Sequence, residues 1–153
     1  MFVLVAILIV IADQLMKFWV VNYLPYGQII PLLGEWFSFN YIHNEGAAFS
    51  ILTGKIGILS IISTVVIIVV AVIWIKTPKE QKLWRFAYAL LLGGALGNWL
   101  DRVRLGYVVD FFRFPNFPVF NIADMMLVAS VILISFLLLQ DFYKEHKANK
   151  ENR

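Results

Sequence analysis

Four apolar runs, each near the length of a membrane-crossing helix, constrain this chain more than any other feature. They lie at about residues 1–21, 56–75, 83–100 and 122–139. A helix needs roughly 20 predominantly apolar residues to cross a bilayer's hydrocarbon core. A soluble domain of 153 residues cannot bury a chain that is 61% hydrophobic, with a mean hydropathy of +0.78. The reading is a single all-α membrane domain, residues 1–153, with four transmembrane helices. The first run has no basic residues ahead of it and carries Asp13 and Lys17. It is therefore expected to be a retained helix and not a cleaved signal peptide.

Lysine and arginine set the expected orientation. Lys76, Lys79, Lys82 and Arg85 surround the connection between the second and third runs. Lys144, Lys147, Lys150 and Arg153 lie in the tail, 140–153. The positive-inside rule puts both segments, and so both termini, on the cytoplasmic side. Segments 22–55 and 101–121 then face outward. Arg102, Arg104 and Arg113 run against that trend and need another task. Trp74 and Trp84 suit the inner aromatic belt, and Trp19 and Trp99 the outer one. The net charge of +3, clustered beside apolar runs, suits a membrane surface and not nucleic acid. With no cysteine, disulfides and thiolate chemistry are excluded.

The outward segment 22–55 is broken by Gly27, Pro31, Gly34 and Gly46 and contains the β-type run FSFNYI. It is expected to form a small outward-facing β-cradle, with Trp36, Phe37, Phe39, Tyr41 and Phe49 dipping into the headgroup region. Segment 101–121 is expected to be a loop with a short helix near Leu105 to Phe111.

The polar residues in and beside the apolar runs are the functional candidates. Asp13 and Lys17, four apart, share one helix face. They are either a snorkelling pair or the lining of a polar site. Asn98, Asp101 and Arg102 follow the small-residue run GGALG, which permits close helix approach. They are either an interfacial helix end or a support shell. Asn121 and Asp124 suit a helix cap and first turn. Asp110, between YVV and FF, has no such local role. Asp110 and Asp124 stand fourteen positions apart around an aromatic loop. If they meet, they form a shared-proton acid/base pair, the chemistry that splits peptide bonds. All eight positions fall on the outward side, where one site explains them better than independent caps.

The segments DQLMK (13–17), NEGAAFSIL (44–52), GGALGNWLDRVRLGYVVDF (93–111) and FNIAD (120–124), in that order between four apolar runs, resemble the bacterial lipoprotein signal peptidases, signal peptidase II. The resemblance covers nearly the whole chain. It implies an inner-membrane aspartic endopeptidase that cuts diacylglyceryl-modified prolipoproteins just before the lipidated cysteine. It implies Asp110 and Asp124 as the catalytic pair. Asn44, Asn98, Arg102 and Asn121 would position the substrate backbone or the pair. Asp13, Lys17 and Asp101 would support the site, and Gly46 would shape the strand carrying Asn44. No cofactor or metal is expected. The expected partners are the lipidated prolipoprotein and membrane lipids, with globomycin-type inhibitors occupying the pair by resemblance; a monomer is the default. The competing classes are a small proton-coupled transporter or channel subunit, which also places charges in membrane helices, and a non-catalytic membrane assembly factor.

Overall fold

The structure is a computed structural model and describes residues 2–46 and 54–151. The element order is α1 (Phe2–Tyr23), β1 (Ile29–Leu33), β2 (Phe37–Asn44), α2 (Ile56–Lys76), α3 (Lys82–Leu105), β3 (Val108–Arg113) and α4 (Ile122–Glu151). The helices α1, α2 and α4 are long and apolar enough to cross a membrane. By the same measure α3 is not, because three glycines, Asn98 and charges at both ends dilute its apolar run.

That dilution has a packing cause. The helix α3 is the axis of the bundle, and α1, α2 and α4 all pack on it. Its buried residues are mostly small: Ala87, Ala89, Gly93, Gly94, Ala95 and Gly97 among them. Close approach favours small side chains over large apolar ones where helix meets helix in a membrane. The outer helices show the converse pattern. Only Leu59 and Val70 are buried in α2, and side chains such as Ile61, Val65 and Ile75 are exposed, as lipid-facing residues are.

The three strands form one antiparallel sheet in the order β1-β2-β3. Ile29 faces Asn40 across the first pair, and Ile42 faces Asp110 across the second. A bulge between Phe39 and Ile42 shifts the second register. One sheet face covers the end of α1, where Val20, Tyr41, Val109 and Phe111 form a buried cluster.

Three expectations change. The short helix near Leu105 to Phe111 is not there. The helix α3 runs on to Leu105 and stops at Gly106, which takes φ 79° and bonds its N–H to Arg102 O at 3.1 Å. Such a left-handed glycine is a common helix stop. The chain then enters β3, whose valines and phenylalanines favour a strand once β2 offers a partner. The last helix does not end near Leu139: it continues through the charged segment to Glu151, where Gln, Lys, Glu and Ala sustain it. The aromatic residues of 22–55 also divide. Trp36 is 79% exposed, but Tyr41 is buried and Phe39 packs beside it; Phe49 lies outside the described residues.

The tight contacts along α3 are directly testable. A Cβ on Gly94 would stand 2.5 Å from the carbonyl oxygen of Ala123, a backbone atom that cannot swing aside. Gly94→Ala should therefore destabilise the bundle by about 1–3 kcal/mol. Gly57→Ala, in open space on α2, should not. Thermal unfolding in one detergent distinguishes the two.

Candidate active site

The site grows from one ammonium group. Lys17 is almost completely buried, and its Nζ lies 2.8 Å from Asp13 Oδ2, 2.9 Å from Asp101 Oδ2 and 3.0 Å from Asn98 Oδ1. Three N–H donors meet three acceptors, which is what allows a charge to stay out of water. The snorkelling alternative for Asp13 and Lys17 is excluded, because both are inside the protein.

The two carboxylates around Lys17 have second partners that fix the neighbouring backbone. Asp13 Oδ1 accepts the N–H of Ala123 at 2.9 Å, in the first turn of α4. Asp101 Oδ2 accepts the N–H of Val109 at 3.1 Å, in β3. The Gln14 amide donates to Asp101 Oδ1 at 2.9 Å and to Gly97 O at 3.2 Å. Gly97 is glycine because a Cβ there would stand 2.8 Å from Asp13 Oδ2.

Asn98 passes this order toward the second pair of carboxylates. Its Oδ1 accepts from Lys17 and from Asn121 Nδ2 at 2.9 Å, and its Nδ2 donates to Asp124 Oδ1 at 2.6 Å. Asn121 caps α4. Its Oδ1 accepts the Asp124 N–H at 2.9 Å, and its own N–H donates to Asp124 Oδ2 at 3.3 Å. That reciprocal pattern is a capping box. The same Asn121 sends Nδ2 to Asp110 Oδ1 at 2.7 Å. Asp110 and Asp124 thus share Asn121, with Asp110 fully buried.

The segment between Asp110 and Asp124 closes through backbone bonds. Phe112 N–H donates to Phe120 O at 2.8 Å, and Phe120 N–H donates back at 3.0 Å. This bridge brings the two ends of the loop together, and Asn116 turns its tip with φ 57°. From the other side, Asn44 Nδ2 donates to Asp110 Oδ2 at 2.8 Å, and Gly46 N–H holds the Asn44 side chain at 2.9 Å. Arg102 Nη2 reaches Gly46 O at 3.3 Å, while its buried Nε has no partner among the described residues.

Burial pushes the Asp110 carboxyl up to about 7, and the Asp124 charge adds to the rise; bonds from Asn44 and Asn121 and the Lys17 charge oppose it. The folded state thus holds a proton that the unfolded chain releases near pH 4. Stability from this group falls as pH rises from about 4 through about 7.

Every singled-out residue, Asp13, Lys17, Asn44, Gly46, Asn98, Asp101, Arg102, Asp110, Asn121 and Asp124, lies in this connected network. Of Arg102, Arg104 and Arg113, only Arg102 belongs to it directly; Arg104 touches the edge through Gln14 Oε1 at 3.4 Å, and Arg113 lies opposite Ser38, toward the other end of β3. Gln14 was not singled out from sequence, although an amide beside Asp13 in an apolar helix was the available signal. An aromatic clamp at the β2–β3 end was also missed. There His43 stacks on Tyr107 at 3.7 Å and shares a 2.8 Å hydrogen bond with Tyr41. Tyr107 lies 64 positions from His43, so no local pattern announces the stack.

The family described as signal peptidase (SPase) II has a model that matches residues 5–140. This chain belongs to the signal peptidase II family. It is similar to the lipoprotein signal peptidase of Moorella thermoacetica, 41% identical over 90% of this chain and 92% of that one. The lipoprotein signal peptidase of Nostoc punctiforme is 43% identical over 86% and 83%. A solved bacterial membrane enzyme, determined in meso at 2.3 Å resolution, superposes with a TM-score of 0.89 at 36% identity, covering 92% of this chain and 88% of that one. Within this family the chain is an aspartic-type signal peptidase of a multi-pass bacterial membrane protein class.

The buried ion network is open to a direct test. Lys17→Met leaves Asp13 and Asp101 buried without their cation and is expected to cost about 3–5 kcal/mol. Denaturation in detergent measures it. A loss below ~1 kcal/mol would show that Lys17 does not hold the site together.

Proposed function

We propose that Asp110 and Asp124 are the catalytic pair of an endopeptidase that removes the signal peptide from diacylglyceryl-modified prolipoproteins, cutting just before the lipidated cysteine. The observation that carries this reading is the convergence of both carboxyls on Asn121. Two carboxyls so close do not both ionise readily, so near neutral pH they share one proton. Asp124 is the ionised partner: Asn98 Nδ2 and the Asn121 N–H donate to its two oxygens, and it stands in the first turn of a helix. Asp110 is the protonated partner.

The chemistry follows from that assignment. Asp124 takes a proton from a water molecule as its oxygen attacks the scissile carbonyl carbon. Asp110 donates a hydrogen bond to the carbonyl oxygen and stabilises the developing charge. The resulting gem-diol breaks its C–N bond as a proton passes to the nitrogen. The new carboxyl stays with the signal peptide, and the lipidated cysteine leaves with a free amine. Asn44 and Asn121 hold Asp110, and Asn98 holds Asp124. Arg102, anchored on Gly46 O, offers its guanidinium to a substrate carbonyl.

The remaining parts of the reading concern placement. The chain is a single domain, a monomer, with all four helices crossing the cytoplasmic membrane of the bacterium. In α3 the small residues that dilute the apolar run face its helical neighbours, not lipid. The basic residues at the α2–α3 turn and along the end of α4 lie at the bundle end opposite Asp110. By the positive-inside rule that end is cytoplasmic, together with both termini. The carboxyl pair then faces outward, where a lipid-anchored precursor presents its cleavage point. Globomycin-type peptides are expected to bind by occupying the pair. A proton-coupled transporter is disfavoured because the buried ionisable groups gather at one end and do not line a path through the bundle.

Incubation of the detergent-purified protein with a lipidated prolipoprotein tests the reading by a size shift. Asp110→Asn and Asp124→Asn are each expected to lose at least ~1,000-fold in kcat. Both variants should remain folded. Full activity of either would reject the pair. Activity of the wild type is expected to fall as pH rises past about 7, because Asp110 loses its proton there. Since the Asn44 bond opposes that rise, Asn44→Ala should move the alkaline limb to higher pH. A limb that stays in place would show that Asp110 is not the group titrating.

A further inference from the structure

A second feature lies along α3, with its Trp74 end away from the carboxyl pair. A groove of about 350 Å³ runs between α1 and α2 over α3. Ala6, Ile7 and Val10 form its α1 wall, Leu92 and Leu96 its floor, and Trp74 one end. It follows α3 from Ala89 to Leu100, about 16 Å at 1.5 Å per residue. Its lining is apolar apart from the Trp74 indole N–H. That Nε1 is buried and has no hydrogen-bond partner among the described residues. An indole N–H withdrawn from water normally finds an acceptor.

Positive charge stands beside this orphan donor. The Arg85 guanidinium lies 4.8 Å over the Trp74 ring, and its Nη1 is fixed by Thr77 O at 2.7 Å and Trp74 O at 3.1 Å. Lys76 and Lys82, at the ends of the same two helices, are exposed nearby in sequence, with Glu80 the one acidic residue of the connecting turn. A long apolar trough that ends at an indole with a cation over its ring matches one kind of membrane molecule.

We propose that this groove binds one anionic phospholipid, with an acyl chain along α3, an ester or phosphate oxygen on Trp74 Nε1 and the headgroup charge at Arg85. A helix from a protein partner would leave the N–H unpaired and the guanidinium without an anion. The headgroup end is separate from the carboxyl pair: Arg85 and Asn98 are thirteen residues apart on one helix, about 20 Å. The inference does not rest on the peptidase reading.

Native mass spectrometry of the detergent-solubilised protein with equal amounts of phosphatidylglycerol and phosphatidylcholine tests the proposal. The wild type is expected to retain phosphatidylglycerol preferentially. Arg85→Gln should lower that retention about fivefold, equivalent to ~1 kcal/mol, with phosphatidylcholine unchanged. Arg85→Lys should keep most of the preference, and Ala6→Phe, which fills the groove, should reduce retention of both lipids. Should Arg85→Gln not fold, Trp74→Phe keeps the ring and removes the donor, and is expected to lower phosphatidylglycerol retention at least twofold. Equal retention of the two lipids by the wild type overturns the proposal, as does unchanged phosphatidylglycerol retention in Trp74→Phe. So does weakened prolipoprotein binding by Ala6→Phe with lipid retention intact, which assigns the groove to the signal helix.

Discussion

The Lys17 ammonium is the constraint on which the rest of the structure depends. A buried cation is unfavourable unless every donor is matched, and here the acceptors come from two helices at once: Asp13 on α1, and Asn98 and Asp101 on α3. The same carboxylates then take backbone N–H groups from α4 and β3. One charge therefore fixes the spacing of α1 and α3, the start of α4 and the start of β3. Apolar packing alone is poorly suited to this task in a membrane, where lipid is as good a neighbour for leucine as another helix.

That arrangement gives single residues more than one structural role. Asn121 and Asp124 form a capping box that begins α4. The cap also holds the Asp124 carboxyl at a fixed point and leaves Asn121 Nδ2 to hold Asp110. A cap that served only the helix would use the carboxylate for the first-turn dipole and nothing more. Here the polar shell is shared, so each residue is held from two sides and its carboxyl orientation is fixed.

The bundle divides its two ends by chemistry. One end gathers the buried carboxyls beneath the small sheet. Toward the other, an apolar trough along α3 meets an indole N–H and a guanidinium. Both ends are organised by α3, the helix with the least apolar sequence and the deepest burial. Its glycines matter for that reason: Gly93, Gly94 and Gly97 let α1 and α4 come within contact of its backbone.

Much of this was legible in the chain itself. Apolar runs gave the helices, because a 20-residue hydrophobic stretch has few alternatives in a bilayer. The acidic and amide residues stood out because ionisable groups beside such runs are costly and thus informative. The misreading of residues 105–111 has a long-range cause. Residues Val108–Arg113 have a strand only because β2 pairs with them, and Asn44 reaches Asp110 from 66 positions away. The His43–Tyr107 stack and the reach of Gln14 likewise depend on partners that no local pattern identifies. Sequence by itself determined which residues were chemically expensive and that they belonged at one end of a membrane bundle. Tertiary structure alone decided whether those expenses were matched. Asp110 and Asp124, fourteen positions apart, come to share Asn121 because the Phe112–Phe120 backbone bridge closes their loop and Lys17 locks the helices beneath it.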